Sequence, residues 1–322
     1  MTLDSTGIPI PGTLGDFTRL TVLACQLSEE SAGQVPHARE IEYGSNVFTT
    51  ICLTAHAILQ THPESGTSVG GLPRIWNPVA TASLARVLME ACVNLYYFCV
   101  EEIEEEEREF RFLVADLHCA RERLHMSDSI RAECDRFRRV VDQPTDAQTL
   151  HLAERSNVAR SGLEDSLRSL ARRLQANGHF CCLSGKERKM WYEGDYSGEG
   201  RYRGRGFHLE LRERARRACF AASAYEAQYR YLSSYVHSAP SAIDQIAAVG
   251  QDPAGMRDEV IPSLIRQCCG LLAIAIRYFL SLVPDCSRLI STEAVALIDV
   301  CTSYVIGPVW LLAAESGEDA AK

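Results

Sequence analysis

The sequence predicts an all-α protein: a multi-helix bundle with a long central helix and one irregular Gly/Arg-rich loop. Apolar residues recur at helical spacing along most of its 322 residues, helix-starting pairs such as Asn77-Pro78 punctuate them, and alternation between hairpin turns is hard to find. With 46% hydrophobic and 23% charged residues the chain has the makeup of a globular protein able to bury a core.

Residues 1–15, rich in Gly, Pro, Ser and Thr, read as a flexible N-terminus. Helices follow near Phe17 to Glu29 and Ala38 to Thr61, and the Gly/Pro-rich stretch Pro63 to Pro78 is a loop. Asn77 as cap and Pro78 at the first helical position then start a long helix expected to reach Leu124. Its first half is apolar nearly all round, which makes it central, while Glu101, Glu102 and Glu104 to Glu107 form a solvated face of its second half. Asp128 to Val141 and Ala147 to Ala176 give a charge-rich amphipathic pair, the second helix ending at Asn177-Gly178. Six glycines from Gly185 to Gly206, among basic and aromatic residues, predict an irregular basic loop over 178–206. Helices from His208 to Ser238, Gly255 to Val283 and Thr292 to Ala314 complete a single domain spanning 16–314, with a flexible tail over 315–322.

Thirteen scattered cysteines, an odd number with no Cys-x-x-Cys, and a start without the basic and apolar parts of a signal peptide predict a cytoplasmic protein with free thiols. The apolar run Val260 to Val283 is interrupted by Arg266, Gln267 and Arg277, so no membrane partner is expected. A net charge of −9 argues against adhesion of the whole surface to nucleic acid. No cofactor and no metal are expected: the glycines fit no phosphate-binding fingerprint, consecutive glutamates fan out around a helix, and no cysteine stands at zinc-finger spacing from a histidine.

Three constellations carry candidate chemistry. Arg86, Glu90 and Asn94, spaced by four, form one stripe on a helix whose only charged residues from Val79 to Val100 are the first two. A buried charge costs several kcal/mol unless paired, so the stripe is either an intrahelical ion pair beside a capping Asn or the lining of a site. The segment Tyr225 to His237 places Arg230, Ser233 and His237 on one helical stripe with Tyr229 beside them. A cation, a hydroxyl and an imidazole can hold a phosphate and move a proton, or form a hydrogen-bonded seam. Ser233 lacks the glycines of a nucleophile elbow, and no second histidine lies at helical spacing from His237. From Gly185 to Arg217 ten Lys or Arg face six acids, and Lys186, Arg188, Lys189, Arg201, Arg203 and Arg205 sit among Trp191, Tyr192, Tyr196 and Tyr202. Arginines beside aromatics suit contact with single-stranded RNA; a solvated surface excursion has the same composition.

The pairing of Ala85-Arg86-x-x-x-Glu90-x-x-x-Asn94-Leu95 with Tyr229-x-x-Leu232-Ser233-x-Tyr235-Val236-His237, and the intervening Trp191-Tyr192-x-Gly194, resembles a bacterial helical family catalogued as domain of unknown function 5677. More loosely, Arg230 followed after six residues by His237 is similar to the signature of HEPN ribonucleases, helical proteins of toxin–antitoxin and phage-defence systems. That likeness implies a homo-dimer whose paired motifs cleave RNA without a metal. Tyr231 stands where such proteins usually carry a polar residue after the arginine. On the HEPN-like expectation His237 is the general acid or base and Arg230 neutralises the phosphate, while Arg86 and Glu90 complete the catalytic set. Asn94, Ser233 and Tyr229 orient it, and the six basic residues of the 178–206 loop bind the RNA. The rival expectation is a non-enzymatic helical scaffold or sensor with structural polar stripes and a protein partner.

Overall fold

The computed structural model describes residues 12–33, 38–61, 78–141, 147–192, 196–197, 201–202, 211–218, 220, 222–236 and 261–306. These residues are helical apart from turns and one pair of two-residue strands, an all-α fold as predicted. The chain forms two compact units, residues 1–101 with 211–322, and residues 102–210.

In the first unit, α1 (Leu14–Ser31) begins earlier than expected. Thr13 and Asp16 form a reciprocal capping box, each side chain accepting the other's backbone N–H at 3.2 Å. The second helix, α2 (Arg39–Thr61), has the limits the periodicity gives, and a Cβ at Gly44 on it would meet the tip of the Leu282 side chain, which would have to swing aside. The central α3 (Pro78–Leu95) buries Ala82, Ala85, Leu88, Met89, Cys92 and Val93.

The long helix expected to reach Leu124 ends here. A π-helical turn, Tyr96–Val100, closes with Glu101 N–H donating to Tyr96 O, and the chain leaves helix at Glu101. This turn sends adjacent aromatics to different partners: Tyr96 packs on Tyr278, Tyr97 under Arg214, and Phe98 on Tyr43. Carboxylates are unfavourable at a helix C-terminus and favourable at an N-terminus. The acidic run accordingly sits at a start, with Glu105, Glu106 and Glu107 in the first turn of α4 (Glu105–Val141).

The helix expected over 208–238 is two: α8 (Leu211–Arg217) and α9 (Ala222–Val236). At the break Tyr278 Oη donates to Ala218 O at 2.6 Å, satisfying a carbonyl the interrupted helix leaves open. The last two helices of this unit are α10 (Ile261–Leu282) and α11 (Thr292–Ile306), joined by the short 3₁₀ turn Pro284–Leu289. Phe279 of α10 stacks on Phe48 of α2 with centroids 4.0 Å apart, and Leu271, Leu272, Ile274 and Ile276 are buried around it. Pro78–Val100 and Pro262–Leu282 are long and apolar enough to cross a membrane, and more than half of each is buried within the fold.

The second unit is built on α4 and α5 (Ala147–Ala176), with α4 covering both Asp128 to Val141 and the acidic run. Where the segment expected as an irregular loop over 178–206 is described, it forms α6 (Gly178–Cys182), α7 (Gly185–Tyr192) and the antiparallel strands β1 (Tyr196–Ser197) and β2 (Arg201–Tyr202); residues 193–195, 198–200 and 203–206 lie outside the described residues. Asn177 caps α6 through Oδ1 on Phe180 N, and Ser184 with Glu187 boxes the start of α7. Trp191, read in the sequence beside the basic residues, is 6% exposed and packs in a core with Phe110, Leu113, Leu117, Leu174 and Phe180. Residues 1–11 of the expected flexible N-terminus, the expected loop over 63–77, residues 307–314 of the last expected helix and the expected tail over 315–322 lie outside the described residues.

Candidate functional site

A polar ladder crosses the otherwise apolar contact of α3 with α8 and α9. Arg86 Nε donates to Glu90 Oε1 at 3.0 Å, the i to i+4 pair their spacing predicts. The same guanidinium reaches α9, where Nη2 donates to Tyr229 Oη at 2.6 Å and the charge lies 4.7 Å from the ring centroid. One turn along α3, Glu90 is near enough to act electrostatically on Tyr225, and one turn further Asn94 Oδ1 accepts from Arg214 Nη1 of α8. Numbers rise along α3 as they fall along its partners, so α3 and α9 run antiparallel. Arg217 extends the polar strip by pairing with Glu101 at 2.7 Å.

The ladder is graded from outside to inside. The Arg86 and Glu90 side chains retain 22% and 36% exposure. Arg214 is buried at 4% exposure, with its guanidinium 5.5 Å from the Tyr97 ring centroid. Burial pushes the Arg214 guanidinium below its ordinary value, against an opposing pull from Tyr97, Tyr225, Tyr43 and Glu90. Tyr225 is pushed well above the usual phenol value, first by burial and then by Glu90 and Tyr229. Its Oη and the Ser233 Oγ are buried without a hydrogen-bond partner among the described residues. Buried hydroxyls without protein partners are uncommon.

Of the residues singled out in the sequence, the structure brings Arg86, Glu90 and Tyr229 into direct contact and sets Asn94 one step along the same ladder. Ser233 is on α9, one turn beyond Tyr229. Arg230 does not join them. Its side chain is 76% exposed and pairs with Glu226, which also lies 3.6 Å from exposed Arg212. The reason is angular: Arg230 follows Tyr229 by one residue, about 100° around the helix, so one faces α3 and the other faces water. His237 lies outside the described residues, as do Arg203 and Arg205. Lys186, Arg188 and Lys189 are exposed on α7 of the second unit, and Arg201 is on β2.

Sequence reading missed Arg214 as a site residue, counting it only within a basic stretch. The available signal was position: in Leu-Arg-Glu-Arg-Ala-Arg-Arg it stands beside Ala215, and the two share the buried face of α8. Among the described residues no three His, Cys, Asp or Glu gather as a metal site. Comparison with protein-family models, curated proteins and solved structures finds no match for the chain.

Proposed function

We propose that the chain is an RNA-cleaving protein of the HEPN-like kind, with its chemistry at the outer end of the α3–α9 ladder. The observation that carries this reading is Arg86, held by Glu90 and Tyr229 at the part-exposed margin of an apolar helix contact. A fixed, half-desolvated guanidinium is suited to neutralise a phosphate as charge builds on it. His237, four residues beyond Ser233 in sequence, takes the role of general acid or base toward the ribose 2′-hydroxyl. Arg230 and Arg212, exposed around one carboxylate, guide the strand as surface cations in place of the catalytic role first read for Arg230. The exposed Lys186, Arg188 and Lys189 keep their proposed part in RNA binding.

The test is cleavage of varied RNAs by purified wild type, His237→Ala and Arg86→Ala. Each variant should lose about 100-fold or more. Equal activity in all three, or none in the wild type, removes this reading.

One observation favours a non-enzymatic scaffold instead: the polar side chains are bonded within the fold, Arg86 to Glu90 and Tyr229, and Arg214 to Asn94. On that reading the wild type cleaves no RNA, and Arg86→Ala lowers the melting temperature while partner binding survives.

A further inference from the structure

Two tyrosines of α9, one turn apart and stacked with centroids 6.0 Å apart, stand in unlike surroundings. Tyr225 is 3% exposed, its hydroxyl has no described partner, and burial beside Glu90 disfavours its anion. Tyr229 is part-exposed, and its oxygen accepts the Arg86 Nη2 proton. A phenol whose oxygen already accepts a charged N–H keeps its own O–H for another acceptor. The anion left after that proton departs would face a guanidinium already in place, at no cost of reorganisation. Among the described residues no guanidinium bonds to the Tyr225 oxygen.

Resting on the RNA-cleaving reading, we infer that Tyr229 is a catalytic residue, the proton donor to the leaving 5′-oxygen, beside the phosphate-neutralising Arg86, with Glu90 as the positioning residue of both. In the step, the ribose 2′-oxygen forms a bond to phosphorus and its proton passes to the general base. The bond from phosphorus to the 5′-oxygen breaks, the electron pair stays on that oxygen, and the oxygen takes the Tyr229 phenolic proton. The products are a 2′,3′-cyclic phosphate and a free 5′-hydroxyl, and the phenolate regains a proton from water. Arg86 holds the phenolate in the interval, and Glu90 holds Arg86 through Nε.

The experiment compares two substrates on the full chain: a short mixed-sequence RNA, whose alkoxide leaving group needs a proton, and uridine 3′-(4-nitrophenyl phosphate), whose nitrophenolate leaves without one. Tyr229→Phe keeps the ring and removes the hydroxyl. It should slow RNA cleavage about 100-fold or more and change nitrophenolate release by less than about threefold. Equal slowing of both substrates, or slowing of neither, overturns the donor role. Replacing Tyr229 with 3-fluorotyrosine, a more acidic phenol, covers the case in which Tyr229→Phe does not fold. The alkaline limb of the RNA pH–rate profile should then move to lower pH, and an unmoved limb overturns the inference. A wild type that cleaves neither substrate removes the RNA-cleaving reading itself, a failure seen before any variant is made.

Discussion

The two units differ in where their strongest polar contacts run, although each holds both kinds, and the 102–210 unit has long-range pairs of its own in Arg160 with Asp128 and Arg173 with Glu109. In the 102–210 unit many ion pairs are local and exposed, such as Arg168 with Asp165 and Arg160 with Glu164, three or four positions apart on one helix. In the other unit the ladder joins residues far apart in the chain: Arg86 with Tyr229 across 143 positions, Arg214 with Asn94 across 120, and Arg217 with Glu101 across 116. Local pairs need only helix periodicity and contribute a few tenths of a kcal/mol. Long-range pairs form only once the helices have packed, so their residues answer to the tertiary fold. Arg111 cuts across this division. Its pair with Glu107 is local, at 2.6 Å, yet its side chain is fully buried.

That exception allows sequence distance to be separated from burial. If burial sets the cost, Arg111→Ala and Arg214→Ala each destabilise by about 3 kcal/mol, because each leaves a part-buried polar partner behind and loses the packing of its stem. Chemical denaturation followed by circular dichroism checks both. A large loss for Arg214 with almost none for Arg111 would show that long-range connection, not burial, makes the ladder costly to break.

The difference between the regions also explains how much could be read in advance. The limits of α2 and α5 follow from periodicity and stop signals, and the Arg86, Glu90, Asn94 stripe follows from spacing by four. Its meeting with Tyr229 was legible because charges on an apolar helix must be answered from a packed neighbour. The break after Leu95 was not, since no glycine or proline marks residues 96–104 and the π turn arises from packing three adjacent aromatics. The order in 178–192 was legible and overlooked: Asn177 and Ser184 with Glu187 are capping signals, outweighed in the reading by the glycines that follow. Arg230 misled because its type suited the chemistry while its angle did not.

Tyr225 offers the next test, smaller in size and opposite in sign. Replacing it with Phe removes a buried hydroxyl that bonds to nothing among the described residues, so stability should rise by about 1 kcal/mol. The pH dependence follows from the raised phenol. Below the unfolded value near pH 10, tyrosine is neutral in both states; as pH rises beyond it the unfolded chain ionises first and stability falls. Tyr225→Phe should flatten that alkaline decline in denaturation curves measured from pH 9 to 11. A destabilised variant would mean that the hydroxyl is satisfied in solution.

The smallest expected effect sets the baseline for the others. Arg168 pairs with Asp165 at 2.5 Å, but both side chains are more than 60% exposed, so ordering two long side chains in water offsets most of the Coulomb attraction. Arg168→Ala should therefore shift stability by no more than about 0.5 kcal/mol, and the shift should shrink further in high salt. A loss approaching that of Arg214→Ala would mean that short distance alone makes an arginine pair costly to remove. Burial would then no longer distinguish the ladder from the surface pairs of the other unit, and the case for Arg86 as a preorganised cation would rest on its contacts with Glu90 and Tyr229 alone.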